Sequence, residues 1–192
     1  MSSGRLAGFR VAALIEDRFE EAEYVHPRQA LTDAGAEVAL ISALPEIQAL
    51  RHFDAGERFA RDLSWEEAPP EAFDALLLPG GVINADALRL RPEAQRMAQA
   101  LVRAGKPVAV ICHGGWLLIS SGLVQGRTVT SWPSLQDDFR NAGAHWVDQE
   151  VVVDGNWISS RKPDDLPAFN RETIRIFADA ARQKSEREPS AA

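Results

Sequence analysis

The one cysteine of the 192-residue chain, Cys112, stands where an apolar run over residues 107–111 stops, and His113, Gly114 and Gly115 follow it. The β-branched run reads as a strand, the glycines as a tight turn, and Trp116-Leu117-Leu118-Ile119 as the start of a buried helix. A side chain at such an elbow is held out above the end of a sheet, and the bend needs neighbours without a bulky Cβ, which Gly114 and Gly115 supply. A thiol there faces the free N–H groups of the following helix, so its pKa is expected to fall below the usual ~8.5 and a reactive thiolate is the natural chemistry. A buried structural thiol at a strand end is the bland alternative.

Other chemistries have less to build on. His26, His52, His113 and His145 are far apart and show no metal-ligand spacing with one another or with Cys112, so neither a metal nor another cofactor is expected. No Gly-x-Ser-x-Gly occurs, which disfavours a serine hydrolase. The apolar run 75–78 leads into Pro79-Gly80-Gly81, but the full dinucleotide fingerprint and any Walker motif are missing. Gly80 and Gly81 are better suited to offering N–H donors to an oxyanion beside the elbow. Glu20 and Glu23 lie beyond the first predicted strand, where a functional carboxylate would sit, in a helix that Pro27 is expected to bend at Glu23.

These residues need a frame. Residues 9–15 read as a strand buried on both faces, and Asp17 with Glu20 resembles a capping box opening a helix that runs to about Ala34. Gly35 ends that helix, and residues 37–42 form the next strand. The same helix-glycine-strand order returns at Ala104-Gly105 and at Ala142-Gly143, which points to an open parallel α/β sheet. Residues 45–62 lack helical period and read as a short hairpin or loop excursion. Residues 92–104 form an amphipathic helix with proline at its start, and Thr130 to Ser134 a turn before a helix over 135–142. Residues 150–160 make a hairpin around an Asp154-Gly155 turn, and residues 163–181 supply the last helix. The expected layout is one α/β domain over 9–182, after an arm over 1–8 and before a disordered tail over 183–192.

Composition narrows the partners. At 45% hydrophobic and 26% charged residues the chain can fill one core. A net charge of -7 with dispersed Lys and Arg argues against nucleic-acid binding. The absence of an apolar run near the ~20 residues that cross a bilayer, and of an apolar signal core, leads to the expectation of a cytoplasmic protein with no membrane partner.

Taken together, Leu-Leu-Pro-Gly-Gly, Val-Ile-Cys-His-Gly, Thr-Ser-Trp-Pro, Asp-Asp-x-x-Asn-Ala-Gly and Glu-Val-Val-Val-Asp-Gly-Asn-Trp-Ile-Ser-Ser-Arg resemble the PfpI-type intracellular protease family over roughly residues 9–180. That family belongs to the class I glutamine-amidotransferase-like superfamily, with the Parkinsonism-associated deglycase and the glutathione-independent glyoxalases. The resemblance implies a flavodoxin-like, doubly wound, mostly parallel sheet with helices on both faces and the site at the carboxyl ends of the strands. It implies Cys112 as nucleophile, His113 as its base partner, and Glu23 as the carboxyl group that contacts the sulfur. Asp86, shortly after the Gly80-Gly81 loop, matches an acid that completes the triad across a subunit contact, so a homodimer or higher homo-oligomer is implied. Trp132 matches an aromatic on the pocket wall, and Gly80, Gly81, Gly114 and Gly115 the oxyanion loops. Gly115 and the stretch Val82 to Ala85 depart from the family, which carries prolines there, and Gly115 is expected to leave a more flexible turn. Amidotransferases of the superfamily take their His and Glu from a later His-x-Glu segment; this chain has His145-Trp146-Val147, which argues against ammonia release from glutamine. The function implied is a cysteine-dependent, stress-related hydrolase of the PfpI type acting on peptides. The alternatives are a deglycase or glyoxalase acting on small aldehydes such as methylglyoxal and their adducts, or a non-enzymatic redox sensor.

Overall fold

The computed structural model describes residues 4–187. Its central sheet is built from the apolar runs: β1 (Arg10–Leu14), β3 (Glu37–Ile41), β6 (Ala75–Leu78), β7 (Val108–Ile111), β10 (Val151–Asp154) and β11 (Trp157–Ser160). The strand order is β10-β11-β7-β6-β1-β3, parallel throughout except for β10 at one edge. Every residue of β6, β7 and β11 is buried, as expected of strands covered on both faces. Taken in chain order the parallel strands run 2-1-3-4-5, the flavodoxin-like winding that reverses between β1 and β6 and leaves a crevice at their carboxyl ends.

Helices cover both faces. On β1, Val11 and Ala13 face the layer of α1 (Glu21–Asp33) and α6 (Leu166–Arg187), packing in one cluster with Tyr24, Leu31, Phe169 and Phe177. Ala12 and Leu14 face the other layer, where α3 (Pro92–Arg103), α4 (Gly115–Ser120) and α5 (Gln136–Asn141) contribute Met97, Leu101, Leu117 and Phe139. This alternation is the two-residue period of a strand, and full burial of a side chain such as Phe177 stabilises the fold by about 1.5–3 kcal/mol.

The excursion after β3 is a hairpin, β4 (Glu46–Arg51) and β5 (Asp54–Ala60), paired with the two-residue β2 (Phe19–Glu20) as a second sheet. Phe59 meets Phe19 and Tyr24 edge-on at 5.5 and 5.8 Å, fastening the hairpin to the start of α1. Two further short strands, β8 (Thr128–Val129) and β9 (His145–Trp146), pair in parallel beside α5. Among the described residues no helix is long and apolar enough to cross a membrane.

Several local expectations are corrected. The capping box does not form: β2 holds Glu20 in extended conformation, Asp17 accepts the Gln48 N–H at 2.7 Å, and Glu20 accepts the His52 N–H at 3.0 Å. The hairpin takes both carboxylates before the helix can, and α1 starts at Glu21 without a side-chain cap, then continues through Pro27 to Asp33. In the β10–β11 hairpin, Asp154 pairs with Trp157, so the loop is Gly155-Asn156, with Gly155 supplying the left-handed φ of +61°. The last helix runs to Arg187 instead of fraying at 183, because Lys184 reaches back to Asp74 with an ion pair of 2.9 Å; residues 188–192 lie outside the described residues. Within the arm, Leu6 is fully buried and its N–H meets the Ala34 carbonyl at 2.9 Å.

Candidate active site

The carboxyl ends of β1, β6 and β7 converge on Cys112. Strand β7 ends at Ile111, Cys112 takes a left-handed φ of +59°, and residues Cys112–Gly114 form one 3-10 turn into α4. A non-glycine residue in that region costs roughly 1–2 kcal/mol, a strain that the packing on either side maintains. A Cβ on Gly114 would lie 2.5 Å from the Leu78 carbonyl oxygen, so only glycine lets the elbow sit against the end of β6. At Gly80 a Cβ would lie 2.5 Å from Glu23 Oε2 and 2.7 Å from Cys112 Cβ. The loop after β6, the elbow and the first turn of α1 are thus pressed into one spot.

Glu23 is fully buried there. Its Oε2 accepts the Gly80 N–H at 2.8 Å, its carboxyl is hydrogen-bonded with Cys112, and Oε1 has no nitrogen or oxygen donor. Burial outweighs the Gly80 and Cys112 hydrogen bonds and pushes the Glu23 carboxyl up to about 8. Cys112, 8% exposed, moves the same way: burial first, then the Glu23 carboxyl, push the thiol up, against the pull of the His113 and Gly81 N–H groups. This corrects the expected depression. The 3-10 turn contributes one N–H, from His113, and the loop after β6 a second, from Gly81, and the two do not offset a buried sulfur facing a carboxyl.

His113 is half-buried, its Nδ1 3.2 Å from the sulfur. Trp132 stacks on the imidazole at 5.9 Å and Trp116 meets it edge-on at 5.3 Å. Burial holds the ring down to about 4, so it is neutral at pH 7. Trp132, 39% exposed, forms the outer wall, and its N–H meets the Cys112 carbonyl at 3.3 Å. Trp116 is anchored behind by an Nε1–H bond to Asp138 at 2.8 Å.

Of the residues singled out from the sequence, Cys112, His113, Glu23, Gly80, Gly81, Gly114 and Trp132 come together. Asp86 does not: it lies on the exposed side of α2 (Val82–Arg89), and among the described residues no carboxylate is hydrogen-bonded to His113. Gly115 does not loosen the turn. It is buried at a helical φ of -61°, and the space a side chain would need is filled by Phe139, whose Cζ would be 2.5 Å from a Cβ.

Two groups escaped the sequence reading. Glu16, at the carboxyl end of β1, is buried and paired with Arg91. Asn84, fully buried in the first turn of α2, accepts the Glu16 N–H at 2.6 Å and donates to the carbonyls of Gly80 at 2.8 Å and Pro79 at 3.2 Å. The only signal for Asn84 was a polar residue where the motif otherwise has apolar or proline positions; nothing local marked Glu16.

Comparison with known proteins sharpens the picture. The model of the DJ-1/PfpI family matches residues 9–176. A deglycase of Pyrococcus abyssi is 45% identical over 168 residues, covering 88% of this chain and 99% of that protein. Protein/nucleic acid deglycase 2 of Escherichia coli is 43% identical over 172 residues, 88% of this chain and 97% of its own. Among solved structures, a two-domain protein from Anabaena variabilis, with DJ-1/ThiJ/PfpI-like and ferritin-like domains, superposes with a TM-score of 0.81 at 31% identity. That match covers 90% of this chain and 54% of the other.

Proposed function

The chain belongs to the DJ-1/PfpI family, and from that premise we propose that it is a cysteine-dependent deglycase that acts on small dicarbonyls such as methylglyoxal and on their adducts with amino groups. The observation that carries this reading is that Cys112 and the fully buried Glu23 carboxyl press on the same side of Gly80, with no cation paired to that carboxyl among the described residues. Such a carboxyl can carry a proton near neutrality, give it to an oxygen and take it back from a carbon. Relatives named deglycase over nearly their whole length support the same choice.

The chemistry balances with water alone. The Cys112 thiol gives its proton to the Glu23 carboxylate as the sulfur adds to the aldehyde carbon and forms the S–C bond, and Glu23 hands that proton to the oxygen, giving a hemithioacetal. The Glu23 carboxylate then removes the proton on that carbon and returns it to the neighbouring carbon, while the hydroxyl proton passes to the former ketone oxygen, so that hemithioacetal and ketone become a thioester and an alcohol. Water adds to the thioester, the C–S bond breaks, and lactate leaves with Cys112 restored. In an adduct the amine is the group released when the sulfur takes its place. His113, neutral and 3.2 Å from the sulfur, is a proton acceptor for the attacking water. The Gly81 and His113 N–H groups, aimed at the sulfur, steady its negative charge.

A second copy of this chain is part of the proposal. Val82, Ile83 and Leu90 are exposed apolar residues on and just after α2, the helix that carries Asp86 beside the elbow turn. A partner seated on this strip would cover it and bring a surface to the open side of the Trp132 wall, where the Asp86 carboxylate of one subunit can orient the His113 of the other.

The test runs wild type, Cys112→Ala and Glu23→Gln on methylglyoxal and on an unstructured protein. Lactate formation lost in both variants, without proteolysis, is expected. Proteolysis by wild type that Cys112→Ala abolishes, with no lactate formed, would overturn the reading in favour of the peptidase.

A further inference from the structure

We propose that Asn84 is a positioning residue for the reacting pair: its side-chain amide sets the orientation of the two peptide groups whose N–H bonds meet Glu23 and Cys112. In a trans peptide the C=O and N–H bonds point in opposite directions. The Pro79–Gly80 peptide turns its carbonyl to Asn84 Nδ2, at 3.2 Å, and its N–H to Glu23 Oε2, at 2.8 Å. The Gly80–Gly81 peptide repeats the arrangement, with its carbonyl 2.8 Å from Asn84 Nδ2 and its N–H turned to the Cys112 sulfur. One amide therefore pulls both carbonyls to the far side of the loop and leaves both donors facing the chemistry.

The loop needs such a restraint because of its composition. A peptide between two glycines meets little steric resistance to rotation, and Gly81 already sits at a φ of +85°. Rotation of the Gly80–Gly81 peptide would replace the N–H at the sulfur by a carbonyl oxygen, exchanging a donor to a thiolate for a repulsive dipole. The Glu20 N–H also meets the Gly80 carbonyl, but at a longer 3.3 Å.

Asparagine suits the position by its chemistry. Its amide offers two N–H bonds for the two carbonyls and one oxygen for the Glu16 N–H, 2.6 Å away at the end of β1. That last bond ties the loop to the sheet. Aspartate would keep the acceptor and lose both donors, and alanine would lose all three bonds. A proline in the first turn of the helix would stiffen the backbone without holding either carbonyl.

The inference rests on the Cys112–Glu23 pair being the reacting centre, and it is tested without any substrate. The pH dependence of iodoacetamide alkylation of Cys112 is measured for wild type, Asn84→Asp and Asn84→Ala, with cooperative thermal unfolding as the check of folding. Both variants are expected to move the midpoint up by about half a pH unit or more. On methylglyoxal they are expected to lower kcat roughly tenfold or more while KM stays within about twofold. Midpoints equal to wild type in folded variants would overturn the proposal, whatever the substrate turns out to be. A midpoint shift in a protein without lactate formation would keep it and sink the aldehyde reading instead. If neither variant folds, the wild-type Asn84 side-chain amide protons decide: slow solvent exchange is expected, and exchange at the rate of an exposed amide would overturn it.

Discussion

Two carboxyl groups are buried within a few residues of each other, and they do opposite things. Glu16 at the end of β1 faces Arg91, while Glu23 in the first turns of α1 faces a thiol and a single backbone N–H. In both cases burial is the largest influence and raises the carboxyl. At Glu16, the charge and hydrogen bonding of Arg91 pull back, so the buried carboxyl has a cation beside it. At Glu23 nothing of comparable charge pulls back, and the proton is left mobile near neutral pH. Burial therefore does not by itself mark a reacting carboxyl; the partner it is buried against does.

The sharpest way to break this contrast is activity. Glu23→Gln is expected to lower kcat on methylglyoxal on the order of 10²- to 10⁴-fold, as for a general acid-base group, whereas Glu16→Gln leaves kcat within an order of magnitude. Equal losses in steady-state assays would show that both groups act only through the fold.

The pH dependence of stability separates them next. Glu23 has a folded value of about 8 against an ordinary 4.5, so its contribution is fully present below pH 4.5 and is lost as pH rises through 8. His113 runs the other way: lowered to about 4, its contribution is present above pH 6.5 and is lost as pH falls toward 4. Urea titrations should therefore show wild type weakening from pH 6 to 9, and Glu23→Gln more stable than wild type at pH 9 by roughly 2 kcal/mol. Parallel curves for the two proteins would mean that Glu23 is ionised in the folded state.

A smaller effect tests the rear of the elbow. Gly115→Ala would put a Cβ 2.5 Å from Phe139 Cζ and is expected to cost about 1–3 kcal/mol, with Phe139→Leu restoring most of it. Additive losses in the double variant would mean that the two side chains do not compete for one space. Smallest is the ion pair: Arg91 is 37% exposed and can turn to water, so Glu16→Gln should cost only about 1–2 kcal/mol in urea unfolding at pH 7.

Much of this was written locally. The alternation of apolar runs and helix-ending glycines was enough for the parallel sheet, because strand burial on two faces is a property of consecutive residues. The elbow at Cys112 was legible for the same reason: a strand, a left-handed turn and a helix are all set by neighbours in the chain. What lay beyond reach came from residues brought together over long separations. Asp17 and Glu20 read as a helix cap until the hairpin after β3 claimed their oxygens. The tail read as frayed until Asp74 met Lys184. Gly115 read as a flexible turn until Phe139 filled its empty side. The direction of the Cys112 shift was misjudged because a helix terminus is visible in sequence, while the desolvation of the sulfur by Glu23 and the loop after β6 is not. Asn84, whose three hydrogen bonds span the end of β1 to the glycine loop, showed locally only as a polar residue where the family carries proline. Local sequence determines conformations and the residues at the bends; only packing determines which polar groups lose their water and what they find in its place.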